Sequence, residues 1–127
     1  MCDKMIPIIP KDSLVICDLN ETLFTRRFPC EFTDLEGFIQ LFKHVKGNVI
    51  FLTTHKKKQD IVDRFNYLHL NYNDFTILYT TGSKGLYLKK MRYPRHTVFI
   101  DNNVEQIRTV RKHCPDIMCI LFEKTTK

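Results

Sequence analysis

The chain alternates short, nearly continuous apolar runs with longer stretches in which apolar residues recur at helical spacing. The runs 13–17 (SLVIC), 48–52 (NVIFL), 75–79 (FTILY), 97–100 (TVFI) and 117–122 (IMCILF) are rich in β-branched and aromatic residues. They do not alternate polar with apolar, which predicts strands covered on both faces. Between them, 34–45, 56–70, 84–92 and 103–113 read as amphipathic helices, with Ile61, Phe65 and Leu68 marking one buried stripe. Gly47, Gly82 and Pro115 punctuate the joins. The pattern predicts a three-layer, Rossmann-like α/β fold: a parallel five-stranded sheet with helices on both faces and right-handed crossovers. No repeat, low-complexity segment or interdomain linker interrupts it, so residues 1–127 read as a single domain.

In such a sheet the ligand site lies beyond the carboxyl ends of the strands, which gives the polar residues there their meaning. Asp18 follows the first run, Thr53 the second and Asp101 the fourth, while Lys84 lies just past the third. All four are expected on one rim. Each also has a structural reading, since an aspartate after a strand often only caps a turn. The matching positions of Asp18 and Asp101 turn the balance towards function. Thr54 is the near alternative to Thr53, Lys89 and Lys90 read as a solvated helix face, and His55 reads as a surface residue.

Composition narrows the partners. A hydrophobic content of 43% with 27% charged residues describes a globular chain and excludes a disordered one. The formal charge of +6 favours phosphate-bearing partners, but the basic residues (26 and 27, 56–58, 89 and 90, 108, 111 and 112) are scattered and form no stripe. Five cysteines without C-x-x-C spacing point to buried thiols in a reducing compartment. No apolar stretch approaches membrane-spanning length, and Pro7 and Pro10 break the start before a signal-peptide core could form. The expectation is a cytoplasmic protein with no membrane partner.

At this point the chain resembles the haloacid dehalogenase (HAD) superfamily. DLNETL (18–23) is similar to its first motif, VIFLT (49–53) to its second, Lys84 in TGSKG (81–85) to its third and VFIDNN (98–103) to its fourth, in the right order along nearly the whole chain. The resemblance implies a magnesium-dependent phosphatase working through an aspartyl-phosphate. Asp18 would be the nucleophile, and Mg2+ would be held by Asp18, the backbone carbonyl of Asn20 and Asp101. Lys84 would be the neutralising cation, with Thr53 or Thr54 on a phosphate oxygen.

Two departures qualify that expectation. Asn20 stands where HAD phosphatases usually carry an aspartate that protonates the leaving group and later activates water, so turnover is expected to be slow. Asn102 stands where a second aspartate is common; Glu105 could substitute through the metal's water shell or simply sit favourably at a helix start. The intervals between Asp18, Thr53, Lys84 and Asp101 are little longer than strand–helix units require, which leaves no room for a cap domain. The resulting open site suits a phosphorylated substrate that is itself a macromolecule, a protein or a nucleic-acid end, and leaves a small phosphoester possible. A catalytically silent HAD fold that binds a phosphorylated partner is the alternative, and haloacid dehalogenation ranks below both, because an open site shields an alkyl halide poorly.

Overall fold

The protein is seen in a computed structural model that describes residues 8–19, 34–54, 57–67 and 69–121, with backbone alone at 34–38 and Tyr67. Asn20, His55, Lys56, Leu68 and the arginines at 26 and 27 lie outside the described residues. Five strands form one sheet: β1 (Leu14–Cys17), β2 (Val49–Thr53), β3 (Thr76–Tyr79), β4 (Thr97–Asp101) and β5 (Met118–Leu121). All neighbours pair in parallel, in the order β3-β2-β1-β4-β5. Among the described residues four helices connect them: α1 (Asp34–His44), α2 (Lys58–Tyr67), α3 (Lys84–Lys89) and α4 (Val104–His113).

The absence of polar alternation is explained by burial on both sides. Val15, Cys17, Phe51, Val98 and Ile100 join Leu41 of α1, Val45 just after it and Ile61 and Phe65 of α2 in one core. Ile16, Leu52 and Phe99 point the other way, into a second core with Leu88 of α3 and Ile107 and Val110 of α4. Each strand therefore feeds two layers, the three-layer Rossmann-like arrangement expected of an apolar parallel sheet. Edge-to-face rings tighten the first core, with Phe65 centred 5.7 Å from Phe51 and 5.4 Å from Phe75.

The largest departures from the sequence pattern are at the ends of two helices. α2 spans 58–67 instead of 56–70; His69 adopts φ +60°, left-handed backbone that cannot continue a helix. A 3-10 turn over Tyr72–Asp74, capped by the Asn71 side chain, then carries the chain into β3. α3 ends at Lys89 instead of 92, because Lys90 and Met91 close three-residue turns onto Tyr87 and Leu88. The end of α1 follows expectation: Gly47 takes φ +80° and its N–H bonds to the Phe42 carbonyl.

The strand order fixes where a site can form. The chain runs outward from β1 through β2 to β3, then returns to β4 on the other side of β1. The chain therefore leaves β1 for one side of the sheet and β4 for the other, the switch point at whose carboxyl rim open α/β sheets place a ligand crevice. No described helix is long and apolar enough to cross a membrane.

Candidate functional site

Asp18 is the first residue past β1, and its N–H bonds at 2.9 Å to the carbonyl of Ile100 in β4. Asp101 ends β4 itself, one residue further along than the apolar run, with its backbone opposite Leu121. The two carboxylates thus stand side by side on neighbouring strands, at the crevice that the strand order creates. Lys84 meets them both: its Nζ donates to Asp18 Oδ1 at 2.7 Å and to Asp101 Oδ2 at 2.8 Å. The three side chains are almost fully withdrawn from solvent, at 9%, 1% and 3% exposure for Asp18, Asp101 and Lys84.

Two carboxylates against one ammonium leave an excess of negative charge in a dehydrated place. Burial pushes the Asp18 carboxyl up and Asp101 pushes it further, while Lys84 pulls it down; the balance is about 6, above its ordinary 3.8. Burial alone would lower the Lys84 ammonium, but the two carboxylates outweigh it and its pKa rises. Asp101 has its other oxygen, Oδ1, on the N–H of Asn103 at 3.0 Å. Cys17, just inside the strand, is held as an inert thiol: burial first, then Asp18 and Asp101, push it well above its usual value.

Lys84 is the first residue of α3, where the helical spacing of 84–92 begins, and its surroundings explain how so short a helix holds it. Two turns are marginal alone. Here the first N–H groups of α3 are taken by side chains: Lys84 by Gln106 Oε1 at 2.9 Å, Gly85 by Thr109 Oγ1 at 3.0 Å and Leu86 by Ser83 Oγ at 3.2 Å. Gly85 lets α3 approach α4 so closely that a Cβ there would lie 2.2 Å from the Thr109 carbonyl oxygen. Gln106, Thr109 and Gly85 escaped the sequence pattern, because their role exists only where α3 meets α4.

The other expected residues divide. Thr53 is the last residue of β2 and is buried. Exposed Thr54 joins Asp18, Lys84, Asp101, Asn102 and Gln106 in lining a cleft of about 500 Å³. Glu105 turns away to solvent and pairs with Arg108 at 2.8 Å, so it stands at the helix start and not at the carboxylates. Asn103 caps α4, accepting from the N–H groups of Glu105 and Gln106. Lys89 and Lys90 are exposed, as expected of a solvated face. Among the described residues no group of three or more His, Cys, Asp or Glu side chains is placed to hold a metal ion. Comparison with family models, curated proteins and solved structures gives no match to this chain.

Proposed function

We propose that the protein is a HAD-type, magnesium-dependent phosphatase of slow turnover, acting through phosphorylation of Asp18. The observation that carries this reading is the buried Lys84 bridge between Asp18 and Asp101 at the divergence of β1 and β4. A carboxylate, a matched carboxylate and a fixed cation on a cleft at that point are what phosphoryl transfer to an aspartate requires.

The donor chemistry fits magnesium. Asp18 and Asp101 offer hard oxygens, and Mg2+ is commonly held by one or two carboxylates with waters and phosphate oxygens filling its shell. Two buried carboxylates facing one ammonium leave a net negative charge that favours a cation there. The Asn20 carbonyl, from outside the described residues, would be the third protein donor. When bound, the metal would neutralise charge on the phosphate and on the carboxylate it approaches.

The residues of the chain divide the remaining work. An ionised Asp18 oxygen attacks phosphorus and the bond to the leaving oxygen breaks. Water then attacks the same phosphorus, releasing phosphate and returning the electron pair to Asp18. Lys84 offsets charge on Asp18 and on the phosphate throughout, and Thr53 or Thr54 donates a hydroxyl to a phosphate oxygen. Asn20 can neither protonate the leaving group nor take a proton from the attacking water, so solvent supplies the first proton and accepts the second. General acid–base help is worth about 10²–10⁴-fold, which sets the size of the deficit. The cleft is open, which suits a phosphate carried on a protein or a nucleic-acid end.

Asn20 also supports a second reading, a silent fold that binds phosphorylated partners without turning them over. Leaving groups separate the two. A slow phosphatase hydrolyses aryl or acyl phosphates far faster than alkyl phosphates, and Asn20→Asp raises maximal turnover on alkyl phosphates by about 10²-fold or more. No magnesium-dependent hydrolysis of either class, before or after that substitution, would leave the binding module as the function.

A further inference from the structure

We propose that Gln106 is a positioning residue for Lys84, fixing its ammonium between the two carboxylates through the backbone of α3. The inference rests on reading Lys84 as the cation of the phosphate site.

The geometry is a closed circuit. Lys84 Nζ donates to Asp101 Oδ2, and Asp101 Oδ1 accepts from the N–H of Asn103. The Asn103 side chain accepts from the N–H of Gln106 at 3.4 Å, and Gln106 Oε1 accepts from the N–H of Lys84 at 2.9 Å. The side chain of Lys84 and its own backbone are thus referred to the same short segment, 101–106. Gln106 Nε2 also reaches the Gly82 carbonyl at 3.4 Å, so one amide holds the chain on both sides of Ser83. Thr109 completes the clamp, accepting from the Gly85 N–H while donating to the Gln106 carbonyl at 2.8 Å.

The amide is suited to this work in a way other side chains are not. It presents an acceptor to one backbone group and a donor to another two residues away, and it brings no charge to a cleft already carrying excess negative charge. Leucine would fill the space and leave the Lys84 N–H without its acceptor. Glutamate would keep the acceptor and lose the longer bond to Gly82, and the negative charge it adds would favour the Lys84 ammonium rather than free it. A lysine side chain has four rotatable bonds, so fixing its backbone end limits how far its ammonium can wander from the carboxylates.

Two measurements on the full chain test this. By hydrogen exchange, the Lys84 amide of the wild type should be protected although it opens a helix, where an uncapped amide exchanges freely. By competitive labelling with an amine-reactive ester, read by mass spectrometry, Lys84 should react slowly against exposed Lys89 and Lys90 as internal references. In Gln106→Leu its relative rate should rise roughly fivefold or more, the factor one hydrogen bond is worth, while Gln106→Glu stays near wild type. A freely exchanging Lys84 amide in the wild type would overturn the assignment. So would unchanged labelling in a folded Gln106→Leu variant, or equal acceleration in both variants. Failure of the wild type to bind inorganic phosphate with magnesium present is a separate result. It would overturn the phosphatase reading and leave exchange and labelling to decide the role of Gln106.

Discussion

Lys84 Nζ and Asp18 Oδ1 lie 2.7 Å apart although 66 positions separate the residues in sequence, and solvent reaches neither side chain appreciably. Such a pair is not explained as a stabilising ornament. Taking two charges out of water costs about as much as their attraction returns, and a third charge, Asp101, makes the balance worse. Hydrophobic residues of similar size would hold β1, β4 and α3 together with less expense of free energy, so the charge cluster is better understood as retained for chemistry.

The first consequence is a pH dependence carried by Asp18. Its folded pKa of about 6 lies above its ordinary 3.8, so the contribution of this group favours folding at low pH and is lost as pH rises through about 6. In metal-free protein, Asp18→Asn should therefore gain stability relative to wild type between about pH 4 and pH 7, by up to roughly 3 kcal/mol. Chemical denaturation of both proteins across that range checks the sign. A difference that does not change with pH contradicts a raised, buried Asp18 carboxyl.

Magnesium affinity should depend on Asp101 at least as strongly as on any outer-shell group. Asp101→Ala would remove one of the two carboxylates proposed as donors and also one partner of Lys84. Affinity should fall by more than the roughly 10–100-fold that supporting residues of metal sites are worth. Calorimetric titration with magnesium reads this directly, and unchanged binding removes Asp101 from the metal site.

Gly85 should be intolerant of even one added carbon. A Cβ would sit 2.2 Å from the Thr109 carbonyl oxygen, a backbone atom that yields only if α4 moves. Alanine is the better helix former, so propensity alone predicts a small gain. The clash should dominate, costing about 1–3 kcal/mol as other overpacking does. A fall in the melting temperature of Gly85→Ala supports the tight α3–α4 contact, and a rise contradicts it.

These positions also show where the sequence stops informing. Asp18 and Asp101 are legible because a continuous apolar run ending in a carboxylate is anomalous, and the anomaly occurs twice at matching places. The layers are legible for the same reason, since strands such as 98–100 have no polar face to give to water. Lys84 is legible as a position beyond the third strand and as the start of a helical stretch. What anchors so short a helix is not, because Gln106 and Thr109 lie on a helix whose apolar stripe, Ile107 and Val110, says nothing of its polar neighbours. The end of α2 is hidden because it turns on a left-handed His69, an angle no periodicity encodes. Spacing leaves Glu105 either in a metal's water shell or at a helix start, and it stands in the first turn of α4, paired with Arg108.

The central claim, that Asp18 accepts a phosphoryl group, is tested most directly by trapping. Wild-type protein and Asp18→Asn are incubated with magnesium and an acyl or aryl phosphate, quenched, and searched by mass spectrometry for a hydroxylamine-sensitive phosphoryl group. The account predicts that group on Asp18 in the wild type and its loss in Asp18→Asn. An unmodified Asp18 in protein that binds magnesium and hydrolyses the phosphate, or a phosphoryl group on another residue, contradicts it.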